Sequence, residues 1–296
     1  MMFELVPAAH FTMQELTDLY NQTRVDYLIP MPMNADRLAE YVHNFDIDLS
    51  HSCVALTADR KILGLCMLGV RQKRAWATRL GVLPSARRHY VGSAIMDHIL
   101  GSADALGMDE TFLEVIKNNA PAYNLFVSKG FMEMDEYLVM RRAPRPISSP
   151  IETHADFLDY SEALEKLASY PRRSTWINTF ESMRNTADFE GLQICLKNGS
   201  AGWVVYRNTK FTLRCTLSHL MIHTEQGNPE EVGTQLLLNL HLRYPRHDTY
   251  AENICKSDPH LPSFHALGYF ENFSRTEMRR PSALASTPVP VERSEG

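Results

Sequence analysis

The chain has 296 residues, of which 44% are hydrophobic and 22% are charged, and its formal net charge at pH 7 is −5. This composition excludes a disordered or fibrous protein, and the length suits one large domain or two of about 150 residues. The acidic balance excludes a broad nucleic-acid-binding surface, which needs an excess of basic residues.

The sequence offers neither a membrane segment nor a disulfide framework. The longest unbroken apolar run, Ile62 to Val70, has nine residues, about half of what a transmembrane helix needs. The start, Met1 to His10, lacks the basic and apolar regions of a signal peptide. The five cysteines are scattered, as small core residues are. We therefore expect a cytoplasmic protein that binds neither membranes nor nucleic acid.

The predicted elements of the first half alternate between strands and helices. A short strand over Phe3 to Pro7 precedes a helix over Thr12 to Leu28 and a second helix, which Asn34 caps and which ends near Phe45. The later elements are strands over Ser52 to Thr57, Ile62 to Val70 and Arg74 to Val82, a helix over Ser85 to Leu106, a strand over Thr111 to Ile116, a helix over Ala120 to Ser128, and strand pieces over Phe131 to Arg141. This order predicts an α/β fold with a mixed sheet flanked by helices.

A proline- and serine-rich segment, Arg142 to Pro150, separates this half from a second half that resembles it. Sliding the chain by 138 positions places Gly130 to Arg142 on Gly268 to Arg280, with five of the thirteen positions identical. We therefore predict two tandem domains, at residues 1–145 and 156–280, joined by a linker at 146–155. The segment 281–296 has no apolar periodicity and is predicted to be a disordered tail.

The segment from Leu80 to Ala94 carries the clearest chemical signal. A strand stops at Pro84, and a turn with Arg87 and Arg88 leads into a helix, whose first N–H groups have no partner inside it. Such a helix start beside arginines favours a pyrophosphate, and Gly92 lets the backbone approach it. On these residues alone, an ordinary capped helix with two solvated arginines is the alternative.

Two motifs resemble those of the GNAT acetyltransferase superfamily. The first, Arg87 to Gly92 (RRHYVG), is similar to the cofactor motif Arg/Gln-x-x-Gly-x-Gly/Ala. The second resembles a run of the ribosomal-protein alanine acetyltransferases, and comprises Leu113 to Asn119, Ala122, Leu125, Phe126 and Lys129 to Phe131. The resemblance covers residues 1–142 well and 151–280 weakly. It implies two tandem GNAT-like domains, each with a central mixed sheet, of which the second is a degenerate copy.

The resemblance implies an N-acetyltransferase that uses acetyl-coenzyme A as cosubstrate and no metal. The acetyl group would pass directly to a primary amine of a small molecule or peptide in one ternary complex. The implied cofactor contacts are Leu80, Gly81 and Val82 for the pantetheine arm, Arg87, Arg88, His89, Tyr90, Val91, Gly92 and Ser93 for the pyrophosphate, and also Asn119 and Phe126.

The implied general base is Glu114, which matches a carboxylate with that role in some relatives. A base is needed because amines with a pKa near 10 are protonated at neutral pH. From the residues alone, Glu114 could equally be a strand-end carboxylate that faces solvent or Lys117.

Two departures from the family pattern leave alternatives open. Tyr90 stands at the first glycine of the loop, and Phe126 replaces the tyrosine that commonly protonates the departing thiolate. Either the thiolate leaves without an acid, since a thiol has a pKa of about 8.5, or Tyr123 or Tyr137 substitutes. An acyl-coenzyme A sensor or interaction protein that lost turnover is the alternative function.

The second half lacks the phosphate chemistry of the first. Its equivalent helix start contains Glu230 and Glu231, which suit a helix N-terminus but repel a pyrophosphate. Two roles stay open for this half: it shapes the acceptor pocket of the first half, or it forms a homodimer.

Two further groups of residues carry weaker signals. Tyr27, Met31 and Met33 lie between the first two predicted helices, where they line an acceptor pocket or belong to the core. The twelve histidines form no His-Glu-x-x-His motif, so that we predict no metal site.

Overall fold

A computed structural model describes residues 2–147, 151, 153–210 and 215–282 of the chain. Residues 148–150 and 152 of the predicted linker and 283–296 of the predicted tail lie outside the described residues. The chain divides into two compact units, with unit 1 at Met1–Met134 and Glu277–Gly296 and unit 2 at Asp135–Thr276. No helix of the described part is long and apolar enough to cross a membrane.

Strands and helices alternate along both units. The strands are β1 (Glu4–Pro7), β2 (Cys53–Leu56), β3 (Ile62–Arg71), β4 (Arg74–Val82), β5 (Glu110–Ile116), β6 (Met132–Arg142), β7 (Asp156–Leu158), β8 (Phe189–Cys195), β9 (Ala201–Lys210), β10 (Cys215–Gln226), β11 (Asp248–Cys255) and β12 (Phe270–Pro281). The helices are α1 (Met13–Thr23), α2 (Ala35–Asn44), α3 (Val91–Ala105), α4 (Ala120–Ser128), α5 (Tyr160–Ala168), α6 (Phe180–Thr186), α7 (Pro229–Arg243) and α8 (Leu261–Ala266).

The sheet of unit 1 runs in the order β1-β2-β3-β4-β5, and the end of β12 follows β5. Neighbours from β1 to β4 are antiparallel, whereas β4 and β5 are parallel. Side chains alternate between the two faces of a strand. Ala75 and Ala77 therefore join the core beneath α3, while Trp76 contacts the rings of Tyr41 and Phe45 at α2.

Local capping explains where the first two helices begin. Thr12 and Glu15 form a reciprocal capping box at α1, and the Asn34 side chain accepts a hydrogen bond from the Arg37 N–H at α2. The Asn34 cap confirms the prediction made from the sequence. Helix α1 ends at Thr23, five residues before the predicted end at Leu28.

Helix α3 begins later than the sequence predicts. The predicted start is Ser85, but Pro84–Ala86 form one turn of 3-10 helix and α3 starts at Val91. Between them Arg88 and Tyr90 adopt positive φ angles of 63° and 62°. A left-handed residue cannot continue a right-handed helix, so the helix start moves beyond Tyr90.

Unit 2 repeats the element order of unit 1. Its sheet runs β6-β11-β10-β9-β8-β7, with β10 and β11 parallel and the other pairs antiparallel. Helices α3 and α7 both have 15 residues and start 138 positions apart. The fold class predicted from the sequence, two tandem domains with a helix-flanked mixed sheet in each, is confirmed.

The two units differ from the predicted domains 1–145 and 156–280 by one strand each. Unit 1 contains the end of β12, and Met278 is fully buried in its core. Unit 2 contains most of β6, and Met140 is fully buried in its core. These two methionines occupy equivalent positions of the repeat. The sequence therefore does not indicate which of the two strands belongs to the core of unit 1.

Helix α1 approaches β4 closely at a glycine. A Cβ atom placed on Gly81 would lie 2.3 Å from the Thr23 Oγ1 atom. Thr23 is buried, and its hydroxyl donates to the Tyr20 carbonyl at 2.7 Å, so that it has little freedom to move. The close packing of α1 on β4 therefore requires glycine at this position.

We expect Gly81→Ala to lower the free energy of unfolding by about 1–3 kcal/mol, the usual cost of overpacking a core. Gly101→Ala is the matched control, because a Cβ atom there meets nothing within 4 Å and alanine favours a helix by up to about 1 kcal/mol. Denaturant unfolding measures both variants. Equal stability of the two would contradict the packing described here.

The core of unit 2 contains a histidine that stays neutral. His241 on α7 is fully buried, and its Nε2 atom lies 2.9 Å from the Tyr269 hydroxyl. Burial, assisted by the positive charges of Arg142 and Arg145, lowers the pKa of His241 to about 3. Arg142 is itself buried and donates to the carbonyls of Leu267 and Arg145. A second positive charge at His241 is therefore strongly disfavoured.

Acid should accordingly weaken the fold through His241. In the unfolded chain a histidine has a pKa near 6.5. Between pH 6.5 and about 3 the unfolded state therefore binds a proton that the folded state does not. As the pH decreases through this range, the free energy of unfolding decreases by at most about 1.4 kcal/mol per pH unit. We expect His241→Gln to flatten the dependence of the unfolding free energy on pH from 7 to 5. The exposed His265, changed to Gln, serves as control; an unchanged slope for His241→Gln would refute the assignment.

Candidate functional site

The central feature of unit 1 is a gap between two parallel strands. Strands β4 and β5 pair at Arg74–Trp76 and Glu110–Phe112, whereas β4 remains paired with β3 as far as Val82. A bulge at Arg79, which has a φ of 56°, interrupts the β3–β4 register next to this gap. Beyond Trp76 and Phe112 the described residues of β4 and β5 no longer pair with each other, so that the two strands diverge.

Two arginines reach the open edge of β4. The Arg24 Nη2 group donates to the Leu80 carbonyl at 3.0 Å. The Arg87 Nε group donates to the Val82 carbonyl at 3.2 Å. Leu80, Gly81 and Val82 were predicted to hold the pantetheine arm, and the structure shows that two of their carbonyls already accept hydrogen bonds from side chains.

The start of α3 has the backbone features of an anion-binding turn. Its N-cap residue, Tyr90, makes no side-chain cap, and the first turn contains no acidic residue. The first intrahelical hydrogen bond runs from the Ala94 N–H to the Tyr90 carbonyl. The N–H groups of Val91, Gly92 and Ser93 therefore lack intrahelical acceptors and carry the positive end of the helix dipole. The left-handed residues Arg88 and Tyr90 flank His89, an arrangement that turns successive N–H groups toward one concave side.

The side chain of Tyr90 does not fill this turn. It is 84% exposed, so that its ring points into solvent and leaves the N–H groups accessible. A Cβ atom on Gly92 would lie 3.5 Å from Val82 and 3.6 Å from Leu125, which places the first turn of α3 in van der Waals contact with β4 and α4. Ser93 follows on the same turn and is half-buried.

Arg87 and Arg88, both predicted to bind phosphate, have different surroundings. Arg87 forms a two-pronged ion pair with Asp26, at 2.6 and 2.7 Å, and this hydrogen bonding lowers the pKa of the Asp26 carboxyl. Its Nη2 group also lies 3.4 Å from the Thr23 carbonyl. Arg87 thus fastens the end of α1 to β4, whereas Arg88 and His89 are exposed beside the helix start.

Glu114 lies on the opposite face of the sheet from α3. It is half-buried on β5, two residues after Phe112, which pairs with Trp76, and Trp76 faces α2. The Tyr41 hydroxyl lies 2.7 Å from the Thr78 Oγ1 atom on this face. Burial raises the pKa of Tyr41 to about 12, and the charge of Glu114 adds to this rise. Glu114 therefore lies in the aromatic environment at the open end of β4 and β5.

Asn119 is the N-cap residue of α4, and Tyr123 lies in the first turn of this helix. The Asn119 Oδ1 atom accepts from the Ala122 N–H at 3.4 Å, and its Nδ2 group donates to the Tyr27 hydroxyl at 3.3 Å. Asn119 thereby joins α4 to the α1–α2 segment. Tyr123 hydrogen-bonds to Glu133, which raises the pKa of the tyrosine. Its hydroxyl is therefore a weaker acid than an ordinary tyrosine.

Two further residues of the predicted site are buried. Phe126 is buried in the core of unit 1 and packs edge-on against Phe131, with ring centroids 6.1 Å apart. It lies on the buried face of α4, and its contact with the cofactor stays a prediction. Tyr137 belongs to unit 2, where it is buried and its hydroxyl lies 3.4 Å from the Arg173 Nη1 atom.

A cluster of arginines and tyrosines beside the gap was not predicted from the sequence. Arg24 stacks over Tyr27 at 4.0 Å, and Arg79 stacks over Tyr41 at 4.2 Å. Each guanidinium also lies 5.3 Å from the Tyr20 ring, whose hydroxyl accepts from Arg79 at 3.0 Å. The spacing of Tyr20 and Arg24, one turn apart on α1, is the local signal that could have revealed it. Of the group predicted around Tyr27, the Met33 backbone is held by the Asn21 side chain.

Unit 2 has the same architecture with different chemistry. The Asn228 side chain accepts from the N–H groups of Glu230 and Glu231, so that the start of α7 is already capped. Between β10 and β11 lies a cavity of about 60 Å³. Its polar lining includes Tyr170, Arg172, Arg173, Asn178, Asn253 and Asp258. Among the described residues, no group of three or more His, Cys, Asp or Glu side chains could hold a metal ion.

Comparisons with known proteins identify a family and similar folds. Residues 13–131 match the model of the acetyltransferase (GNAT) family, and no curated protein sequence matches the chain significantly. A GCN5-related N-acetyltransferase from Sphaerobacter thermophilus is 11% identical, with 94% of this chain and 95% of that chain covered and a TM-score of 0.63. A tandem GNAT protein from the clavulanic acid biosynthesis pathway is 17% identical, with 95% and 99% covered and a TM-score of 0.63.

A third solved structure is similar over part of a larger protein. It is a GCN5-related glucosamine N-acetyltransferase region of a fungal multi-domain β-N-acetylglucosaminidase, 14% identical, with 94% of this chain and 38% of that chain covered and a TM-score of 0.71. At these identities the structural likeness concerns the fold, which is that of tandem GNAT proteins. The family match shows that residues 13–131 belong to a GNAT acetyltransferase domain.

Proposed function

We propose that the chain is an N-acetyltransferase, which transfers an acetyl group from acetyl-coenzyme A directly to a primary amine of a small molecule or peptide. The observation that carries the proposal is the uncapped start of α3 beside the gap between β4 and β5. The free N–H groups of Val91 to Ser93, the left-handed turn at Arg88 and Tyr90, and the exposed Arg88 side chain suit a diphosphate. From there the open edge of β4 leads toward Glu114.

In this proposal Glu114 takes a proton from the substrate ammonium group. The amine nitrogen then forms a bond to the acetyl carbonyl carbon while the bond from that carbon to sulfur breaks, and coenzyme A leaves as the thiolate. The nitrogen loses its remaining extra proton to the thiolate or to water, which gives the neutral amide. Holding the amine and the thioester side by side in the gap lowers the barrier through proximity. Glu114 suits the role because it is half-buried at the open end of β5 and not enclosed in the core.

The thiolate leaves in this proposal without a protein acid. A thiol has a pKa of about 8.5, so that its thiolate is a tolerable leaving group near neutral pH. Tyr123 is a poor acid because its hydrogen bond to Glu133 raises its pKa, and Tyr41 is a poor acid because burial raises its pKa to about 12. All five cysteines are free, which suits the reducing cytoplasm that we propose as its location.

A thiol-release assay with acetyl-coenzyme A and a panel of primary amines tests the proposal. Release that depends on the added amine supports it. Binding of coenzyme A without release above background, for every amine, would instead favour the non-catalytic acyl-coenzyme A sensor, which the replacement of the usual tyrosine by Phe126 makes the competing function.

Arg88→Glu should weaken coenzyme A binding by about 10- to 100-fold, because hydrogen bonds to charged groups contribute about 1.5–3 kcal/mol and the substitution reverses the charge. Arg60→Glu is the matched control: Arg60 is also exposed, has a similar φ of 60°, and lies in the β2–β3 turn. Calorimetric titration measures both. An affinity equal to the parent's for Arg88→Glu would remove this residue from the phosphate site.

Glu114→Gln should lower kcat/KM by about 100-fold or more, the range of general base catalysis, and most strongly below pH 8, where the amine is mostly protonated. Affinity for coenzyme A should stay near that of the parent. Glu110→Gln, on the paired end of the same strand beside Arg279, should retain the parent's pH–rate profile. If the profile of Glu114→Gln also matches the parent's, Glu114 is not the base.

A further inference from the structure

Arg24 is a half-buried cation that has no acidic partner. Its contacts are the Leu80 carbonyl and the rings of Tyr20 and Tyr27. Among the described residues no carboxylate lies within ion-pair distance of it, and its buried Nε atom has no hydrogen-bond acceptor. By contrast, the neighbouring Arg87 is neutralised by Asp26. A partly buried guanidinium without a counter-charge is costly, so that its retention points to an anionic ligand.

The guanidinium of Arg24 is held in a fixed orientation. It lies 4.0 Å from the centroid of the Tyr27 ring, and Asn119 donates to the Tyr27 hydroxyl at 3.3 Å. The hydrogen bond to Leu80 fixes one end of the group at the edge of β4. An arginine fixed in this way has lost most of its conformational freedom before a ligand binds, and its planar fork matches a carboxylate.

Arg24 and the proposed base Glu114 lie on the same side of the sheet. The guanidinium groups of Arg24 and Arg79 are each 5.3 Å from the Tyr20 ring centroid, so that they lie within twice that distance of each other. Arg79 stacks over Tyr41, and the negative charge of Glu114 is close enough to Tyr41 to raise the pKa of its hydroxyl. The phosphate turn at Arg88 to Val91 is a separate feature, at the start of α3.

We infer that the acceptor amine carries a carboxylate, which Arg24 binds while Glu114 receives the proton of the ammonium group. This inference rests on the proposed function and names its substrate class: amino acids whose amine and carboxylate are separated by one to a few carbon atoms. Arg24 is in this role a specificity determinant, because it binds a part of the acceptor that does not react.

Matched pairs of acceptors test the inference on the full-length chain. Thiol release is measured with glycine and glycinamide, β-alanine and β-alaninamide, and γ-aminobutyrate and its amide. For at least one pair we expect kcat/KM to favour the acid by about 10- to 100-fold, the range for a charge-assisted contact. Equal or faster turnover of the amide in every pair that reacts would overturn the inference and leave the proposed function intact.

Arg24→Gln should abolish this preference without changing the affinity for coenzyme A, and Arg24→Lys, which keeps the charge but not the fork, should retain part of it. Arg37→Gln, an exposed arginine in the first turn of α2, is the control and should keep the full preference. If Arg24→Gln slows acid and amide equally, or weakens coenzyme A binding while the acid preference persists, Arg24 does not bind the acceptor carboxylate.

A binding experiment separates failure of this inference from failure of catalysis. If no amine releases thiol, calorimetric titration of the same acids and amides into the coenzyme A-saturated protein still reports on Arg24. Tighter binding of the acids, lost in Arg24→Gln, would support the inference although the proposed function fails. Equal binding of acids and amides, or binding of neither, would overturn it. Unfolding curves of each variant show whether the fold is intact.

Discussion

The end of the pairing between β4 and β5 is the constraint on which the site of unit 1 depends. Where two parallel strands diverge, their facing carbonyl and N–H groups lose their partners and must find others. In unit 1 Arg24 and Arg87 supply donors to the carbonyls of Leu80 and Val82. Both arginines are held in place by other contacts, Arg24 by tyrosine rings and Arg87 by Asp26. The divergence therefore places positive charge at the gap as well as opening it.

Unit 2 shows that the same divergence does not by itself produce the same chemistry. Strands β10 and β11 pair near Thr216 and Asp248 and then diverge around a small cavity. Glu252, the equivalent of Glu114, is bound to Arg275 at 3.0 Å. Asn178 donates to the Glu252 carbonyl at 2.9 Å, so that neighbouring segments of unit 2 hold both the side chain and the backbone of this residue. The architecture is common to both units, and the function depends on the side chains that it carries.

Local signals in the sequence predicted most of the elements, because a cap or a periodic apolar face is written within one segment. The Asn34 cap is an example. The start of α3 was wrong by several residues because left-handed Arg88 and Tyr90 are unusual for residues other than glycine. Nothing in their side chains marks such a turn.

Contacts between distant segments were beyond prediction for a different reason. Arg87 and Asp26 are 61 residues apart, and a charged pair at that separation has no periodic signature. The bounds of the two units also differ from the predicted domain bounds. Met140 and Met278 are the same residue at the same position of the repeat, so that either β6 or the end of β12 satisfies the core pattern of unit 1 equally well. The choice between them is made by the whole strand and its neighbours.

The equivalent residues Tyr90 and Asn228 show that the start of α3 is less stable than the start of α7. Both are N-cap residues, 138 positions apart, before helices of the same length. Asn228 has an extended backbone and caps two N–H groups, whereas Tyr90 has a left-handed backbone and caps none. A cap contributes about 1 kcal/mol, and a left-handed tyrosine costs about as much again. The fold accommodates the more stable helix start, as unit 2 shows, so the open N–H groups of α3 are better explained by a ligand than by any need of the scaffold.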